Sequence, residues 1–230
     1  MASPPYSIGP LTRDDVSGLS YRLRLPLPAA PTALVILLHG VGSNETDLAE
    51  LVGPIAADAV VALGRGPLAL GPSQFAWFHV NFTSSGPVIE AGEAETSRHA
   101  LTALVQNLQA LYSIAAAKTV IAGFSQGGIM SAGVGLSAPE RVAGFGVLSG
   151  RILPELAPHI AAAGRLAHLR AFVAHGEHDG VLPISWAHRS DQWLSELGVE
   201  HVLRLYPIAH TISPAEHAEF VAWLDDLLKP

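Results

Sequence analysis

The sequence predicts an α/β fold in which a mainly parallel sheet carries helices on both faces. Short, continuous apolar runs recur along the chain, helix-length segments separate them, and the 230 residues hold no repeat or linker that would divide them. The first strand is read at Leu19 to Leu25, where Leu19, Tyr21, Leu23 and Leu25 alternate with Ser20, Arg22 and Arg24, the period of a strand with one wet face. Pro26 to Pro31 then turn the chain. Ala33 to Leu38 is apolar throughout, as a strand covered on both faces should be. Comparable runs follow at Ala59 to Leu63, Lys118 to Ala122, Gly144 to Leu148, Ala171 to Ala174 and Val202 to Tyr206. Between the runs, helices are expected at Thr46 to Ala57, about Glu90 to Tyr112, Gln126 to Leu136, Ile184 to Leu197 and Pro214 to Leu228. The second carries Leu101, Leu104, Leu108 and Leu111 at spacings of three and four. Residues 1–230 are therefore read as one domain. Ligand chemistry in such a sheet gathers at the carboxyl ends of the strands, so the functional residues are sought where each apolar run stops.

Composition removes several function classes. Apolar residues make up 49% of the chain and charged residues 14%, against a usual 25% or so, which excludes a disordered chain. The absence of cysteine rules out a disulfide framework, a thiolate zinc site, a cysteine nucleophile and an iron–sulfur cluster. Thirteen basic against 20 acidic residues give a net charge of −7, with no basic footprint for nucleic acid. No apolar stretch reaches the length of a membrane span, and Met1 to Pro10 lacks the basic and apolar regions of a secretory signal, so a cytoplasmic location is expected.

The run Thr119 to Ala122 stops at Gly123-Phe124-Ser125-Gln126-Gly127-Gly128, a G-x-S-x-G nucleophile elbow. A serine on a sharp strand-to-helix turn needs small neighbours two residues to either side, because strand and helix approach closely there. The helix that follows offers backbone N–H groups and a positive dipole end to a developing oxyanion. Read alone, the pentapeptide also suits a glycine-rich helix start with Ser125 as its cap. A serine hydroxyl is a weak nucleophile and requires a base, itself oriented by a carboxylate, in the chain order Ser, acid, His. Ala171 to Ala174 runs into His175-Gly176-Glu177-His178-Asp179, and Val202 to Tyr206 runs into Pro207-Ile208-Ala209-His210. Asp179 and His210 thus stand at later strand ends in the required order. For the oxyanion, the backbone N–H groups of Val41, in His39-Gly40-Val41-Gly42-Ser43-Asn44, and of Gln126 are assigned.

These segments, with Glu45-Thr46-Asp47-Leu48, Ala76-Trp77-Phe78, Leu148-Ser149-Gly150-Arg151 and Tyr206-Pro207-Ile208-Ala209-His210, resemble the phospholipase/carboxylesterase family of α/β-hydrolases, which includes the acyl-protein thioesterases. The resemblance spans nearly the whole chain. It implies the α/β-hydrolase fold, Ser125 as nucleophile, Asp179 as orienting acid, His210 as base, no cofactor, and short esters or thioesters as small-molecule substrates. Two positions depart from the family pattern: Ala209 stands where glycine usually precedes the histidine, and His79 where aspartate commonly follows Trp-Phe.

Substrate contacts are expected from Trp77 and Phe78 in the irregular, aromatic-rich stretch Gly64 to Pro87, which also holds Phe75 and Phe82. The 20 residues Gly150 to Leu169 are too few for a large cap domain and are expected to form a short helix or a flap that, with the Gly64 to Pro87 loop, walls the pocket. Ser149 lacks an elbow pattern, Val147 standing where a glycine would, and His175, His178 and Asp179 follow a strand rather than share a helical face, so no metal is expected. The leading reading is a short-chain carboxylic-ester hydrolase. The alternatives are an acyl-protein thioesterase or lysophospholipase and, more distantly, a non-catalytic binding module on the same fold; the sequence leaves the oligomeric state open.

Overall fold

The computed structural model describes residues 6–83 and 86–229, without the side chains of residues 82, 83 and 86, so Phe82 lies outside the described side chains. In chain order the strands are β1 (Ser7–Ile8), β2 (Thr12–Arg13), β3 (Ser20–Leu25), β4 (Ala33–Leu38), β5 (Ala59–Arg65), β6 (Leu68–Gly71), β7 (Gln74–Ala76), β8 (Val80–Thr83), β9 (Gly86–Ile89), β10 (Thr119–Phe124), β11 (Gly144–Leu148), β12 (Arg170–Gly176) and β13 (Glu200–Tyr206). The helices are α1 (Ala91–Tyr112), α2 (Gln126–Ser137), α3 (Ala163–Leu166), α4 (Ser185–Glu196) and α5 (Pro214–Leu228).

Among the described residues the main sheet has nine strands in the order β1-β3-β5-β4-β10-β11-β12-β13, with β2 on β3. From β5 to β13 neighbouring strands are parallel, and β3 joins β5 antiparallel, so the α/β-hydrolase expectation of a mainly parallel sheet is met. All six residues of β4 are buried, because apolar side chains cover both of its faces. Leu34, Ile36 and Leu38 join one core with Leu101, Leu104 and Leu108 of α1, while Val35 and Leu37 join the other with Phe220 and Trp223 of α5. Helix α2 is buried over Gln126 to Leu136 and leans on β10 and β11. Strand β10 lies between β4 and β11, which puts its carboxyl end in the middle of the sheet.

Three sequence expectations fail. Thr46 to Ala57 is not a helix; it holds turns and a single 3-10 stretch, Ala49–Val52. Gly53 and Pro54 interrupt the pattern, and the buried Arg24 guanidinium takes up the carbonyls of Val52, Ile55, Ala56 and Ala59 at 2.6 to 2.9 Å, so a side chain rather than a helical ladder satisfies this backbone. The stretch Gly64 to Pro87 is not irregular but folds into two hairpins, β6 with β7 and β8 with β9, whose strands of three or four residues are too short to leave a periodic signal. Gly150 to Leu169 forms short helical turns as one of its expected alternatives, a 3-10 turn over Pro154–His159 and the one-turn α3, but it does not wall the pocket: among the described residues only Arg151 from it lines the cavity described below.

Candidate active site

Ser125 links β10 to α2 with φ 53° and ψ −116°, a conformation that side chains rarely adopt. The turn closes because its neighbours lack side chains. A Cβ on Gly127 would stand 2.0 Å from the Leu38 carbonyl oxygen, and one on Gly123 would meet the same oxygen at 2.6 Å. Strand β4 therefore passes directly against the elbow, and only glycine admits it.

The ends of β10, β12 and β13 bring three predicted residues together. His210 Nε2 lies 3.0 Å from Ser125 Oγ, and His210 Nδ1 lies 2.6 Å from Asp179 Oδ2. The other Asp179 oxygen accepts the backbone N–H groups of Val181 and Leu182, both at 2.8 Å. With Oδ1 so engaged, Oδ2 receives the Nδ1–H of His210, which leaves Nε2 as the acceptor facing the serine hydroxyl. The Phe124 ring packs on His210 with centroids 4.8 Å apart and limits its rotation. His175, fully buried, places Nε2 2.8 Å from the Leu182 carbonyl and 3.3 Å from Asp179 Oδ2. It thus bears on the carboxylate, a contact the sequence did not signal because it depends on how the β12 loop curls back. Among the described residues no three His, Cys, Asp or Glu side chains converge as a metal-binding group.

A cavity of about 320 Å³ opens over Ser125 and is lined by Gly40, Val41, Phe78, Gln126, Arg151 and His210 among others. Among the described residues, neither the Val41 nor the Gln126 backbone N–H has a protein acceptor, although both residues line this cavity. The loop bearing Val41 is anchored from beneath. His39 lies 2.7 Å from the Gly40 carbonyl through Nδ1 and accepts Gly66 N–H through Nε2 at 3.0 Å, and burial lowers its pKa, so it sits as a neutral strut. Burial pushes the Glu45 carboxyl up, but hydrogen bonds from Arg65 and Arg22 outweigh it and hold the group at about 2.

Trp77 does not line the cavity, contrary to expectation. It is fully buried, its indole N–H bonding the His39 carbonyl at 2.9 Å, because a buried tryptophan requires an acceptor and the loop strut supplies one. Phe78 does face the cavity. Gln126 has a second task that the sequence concealed: its side chain accepts Trp77 N–H and donates to the Phe78 carbonyl, both at 2.7 Å, clamping this segment against the elbow. His79 turns outward to the Glu93 carboxylate at 2.9 Å.

Below the His210 loop, Ser213 caps α5 by accepting Glu216 N–H, and the Glu216 carboxyl is fully buried, with neither oxygen hydrogen-bonded among the described residues. Desolvation raises its pKa to about 7. A carboxyl whose folded pKa exceeds its unfolded value binds more protons in the folded state, so stability falls as pH rises from about 4.5 to 7 and the full penalty stands above that window. Glu216→Gln is expected to stabilise the protein by about 2 kcal/mol at pH 8 and to be close to neutral near pH 4.5. Urea unfolding at the two pH values checks this; an equal effect at both would refute it.

The family model described as phospholipase/carboxylesterase matches residues 28–227. Acyl-protein thioesterase 1 of Emericella nidulans is 27% identical over 227 residues, covering 86% of this chain and 91% of that protein. The protein of the same name from Eremothecium gossypii is 29% identical over 208 residues, covering 84% and 87%. Among solved structures, esterase PE8 superposes with a TM-score of 0.78 at 27% identity, covering 97% of this chain and 99% of that one. A carboxylesterase from Mesorhizobium loti superposes with the same TM-score at 24% identity, covering 94% and 97%, a likeness of fold.

Proposed function

Because the chain belongs to the phospholipase/carboxylesterase family, and so is a serine hydrolase with esterase or thioesterase activity, we propose that it hydrolyses short-chain carboxylic esters through an acyl-enzyme on Ser125. The observation that carries this reading is the hydrogen-bond chain Ser125 Oγ, His210, Asp179, at 3.0 and 2.6 Å. His210 Nε2 takes the hydroxyl proton as Oγ attacks the carbonyl carbon, and Asp179 stabilises the imidazolium that results. The carbonyl oxygen, now negative, receives the free N–H groups of Val41 and Gln126, at the amino end of α2 where the helix dipole favours negative charge. The imidazolium returns the proton to the leaving oxygen as the ester bond breaks. Water, deprotonated by the same nitrogen, then attacks the acyl carbon, and Ser125 leaves with its proton restored. The site draws its residues from position 41 to position 210, and we take the chain to act as one catalytic domain.

Two features support a short acyl group. The cavity's 320 Å³ is at the low end of the roughly 300 to 1,000 Å³ usual for small-molecule sites, and Phe78 narrows it. Each buried methylene contributes up to about 0.8 kcal/mol only while it meets apolar wall. On aryl esters of graded length, kcat/KM is expected to rise over the first few carbons and then fall. The names of the curated relatives favour a second reading, an acyl-protein thioesterase, with lysophospholipase activity as a further possibility for the same site. A maximum at long acyl chains, with thioesters preferred at matched solubility, would replace the first reading with that one.

A further inference from the structure

The described residues include three buried arginines, and their partners differ. Arg24 holds four backbone carbonyls, and Arg98 holds the Glu95 carboxylate and the Ser137 hydroxyl. Arg151 is only 5% exposed, yet among the described residues its guanidinium has no hydrogen-bond acceptor and no carboxylate within ion-pair distance; its Nε is buried and unpartnered. The side chain follows the Ser149-Gly150 turn at the carboxyl end of β11, the strand beside β10, and it lines the cavity over Ser125. Its planar group lies over the Trp186 ring of α4, 4.3 Å from the centroid, which fixes its plane.

An arginine stays charged at physiological pH, and an unpaired buried charge is expensive. Such a group persists at a binding site when a ligand completes it, and a fork of N–H donors matches an anionic oxygen pair. Burial lowers the Arg151 pKa, and Glu155 offsets part of that effect from beyond bonding distance. Among the described residues, the cavity's other formally charged side chain is Asp47, which is exposed and comes from the loop after β4. One cation in a small, largely apolar cavity that also carries one carboxylate accommodates a single negative charge better than a dianionic phosphate. Resting on the catalytic reading of Ser125, we propose that Arg151 is the anion-recognising residue of this cavity and that the enzyme selects esters or thioesters bearing a free carboxylate.

Two matched pairs of substrates test this. In the first the carboxylate sits on the acyl side: mono-4-nitrophenyl adipate against its methyl ester, with spontaneous hydrolysis subtracted. In the second it sits on the leaving group: 4-(butanoyloxy)benzoate against its methyl ester. In at least one pair, Arg151→Gln should lower the ratio of anionic to neutral kcat/KM by tenfold or more, while the neutral ester changes less than about threefold. Arg151→Lys keeps the charge but loses the planar fork, and should retain part of the preference. The responding pair identifies the side of the scissile bond on which the carboxylate lies. An unchanged ratio in both pairs, or an equal loss on anionic and neutral esters in a variant that melts like the parent, would overturn the proposal. Labelling of Ser125 by a neutral fluorophosphonate and turnover of the neutral esters keep the two readings apart. If both persist while the ratio stays fixed, only the role of Arg151 falls; if both are absent from the parent protein, the catalytic reading falls as well.

Discussion

Ser125→Ala is expected to lower kcat on any ester by about four powers of ten or more while leaving the melting temperature close to that of the parent protein. The activity loss follows from removing the hydroxyl oxygen that the proposed mechanism uses to form the acyl bond, 3.0 Å from His210 Nε2. The fold should survive because the elbow is held by backbone bonds, from Ser125 N–H to the Leu148 carbonyl and from Ile129 N–H to the Ser125 carbonyl, and alanine meets the same backbone conformation that serine already tolerates. Steady-state kinetics beside a thermal melt make the comparison. Activity within tenfold of the parent would mean that another group performs the attack.

Asp179→Asn should cost nearly as much, by about three to four powers of ten in kcat, and for a reason that the local hydrogen bonds dictate. The N–H groups of Val181 and Leu182 both point at Oδ1, so the asparagine carbonyl must face them and its amide NH₂ must face His210 Nδ1. That nitrogen then has to accept, the ring proton moves to Nε2, and the atom that should take the serine proton carries one of its own. The substitution is nearly isosteric, so the loss should appear in kcat with little change in KM or stability. Activity above a tenth of the parental value would show that Asp179 does not set the tautomer.

Much of the site was legible in the sequence because the chemistry is bound to strand ends. Gly123 and Gly127 flank Ser125 for a steric reason that survives translation into one dimension, and Asp179 and His210 follow the ends of strands, buried in β12 and half-buried in β13, that their apolar residues mark in the sequence. The parallel sheet was readable for the same reason. What escaped depends on contacts between distant segments. Arg24 collects four carbonyls 28 to 35 residues away, and in doing so it replaces the helix expected over Thr46 to Ala57. Trp77 and Phe78 are adjacent in sequence, yet only the second lines the cavity, because the His39 carbonyl captures the indole of the first. Arg151 stands in the sequence only as part of the Leu148-Ser149-Gly150-Arg151 segment, since an arginine's significance here lies in the partners it lacks, which only packing reveals.

Mass spectrometry after treatment with a neutral fluorophosphonate reads directly whether Ser125 is the activated nucleophile. One adduct per chain is expected, mapped by peptide digestion to Ser125, formed in the parent protein and absent from Ser125→Ala. No adduct in folded parent protein, or an adduct on another residue such as the buried Ser149 at the neighbouring strand end, would contradict it.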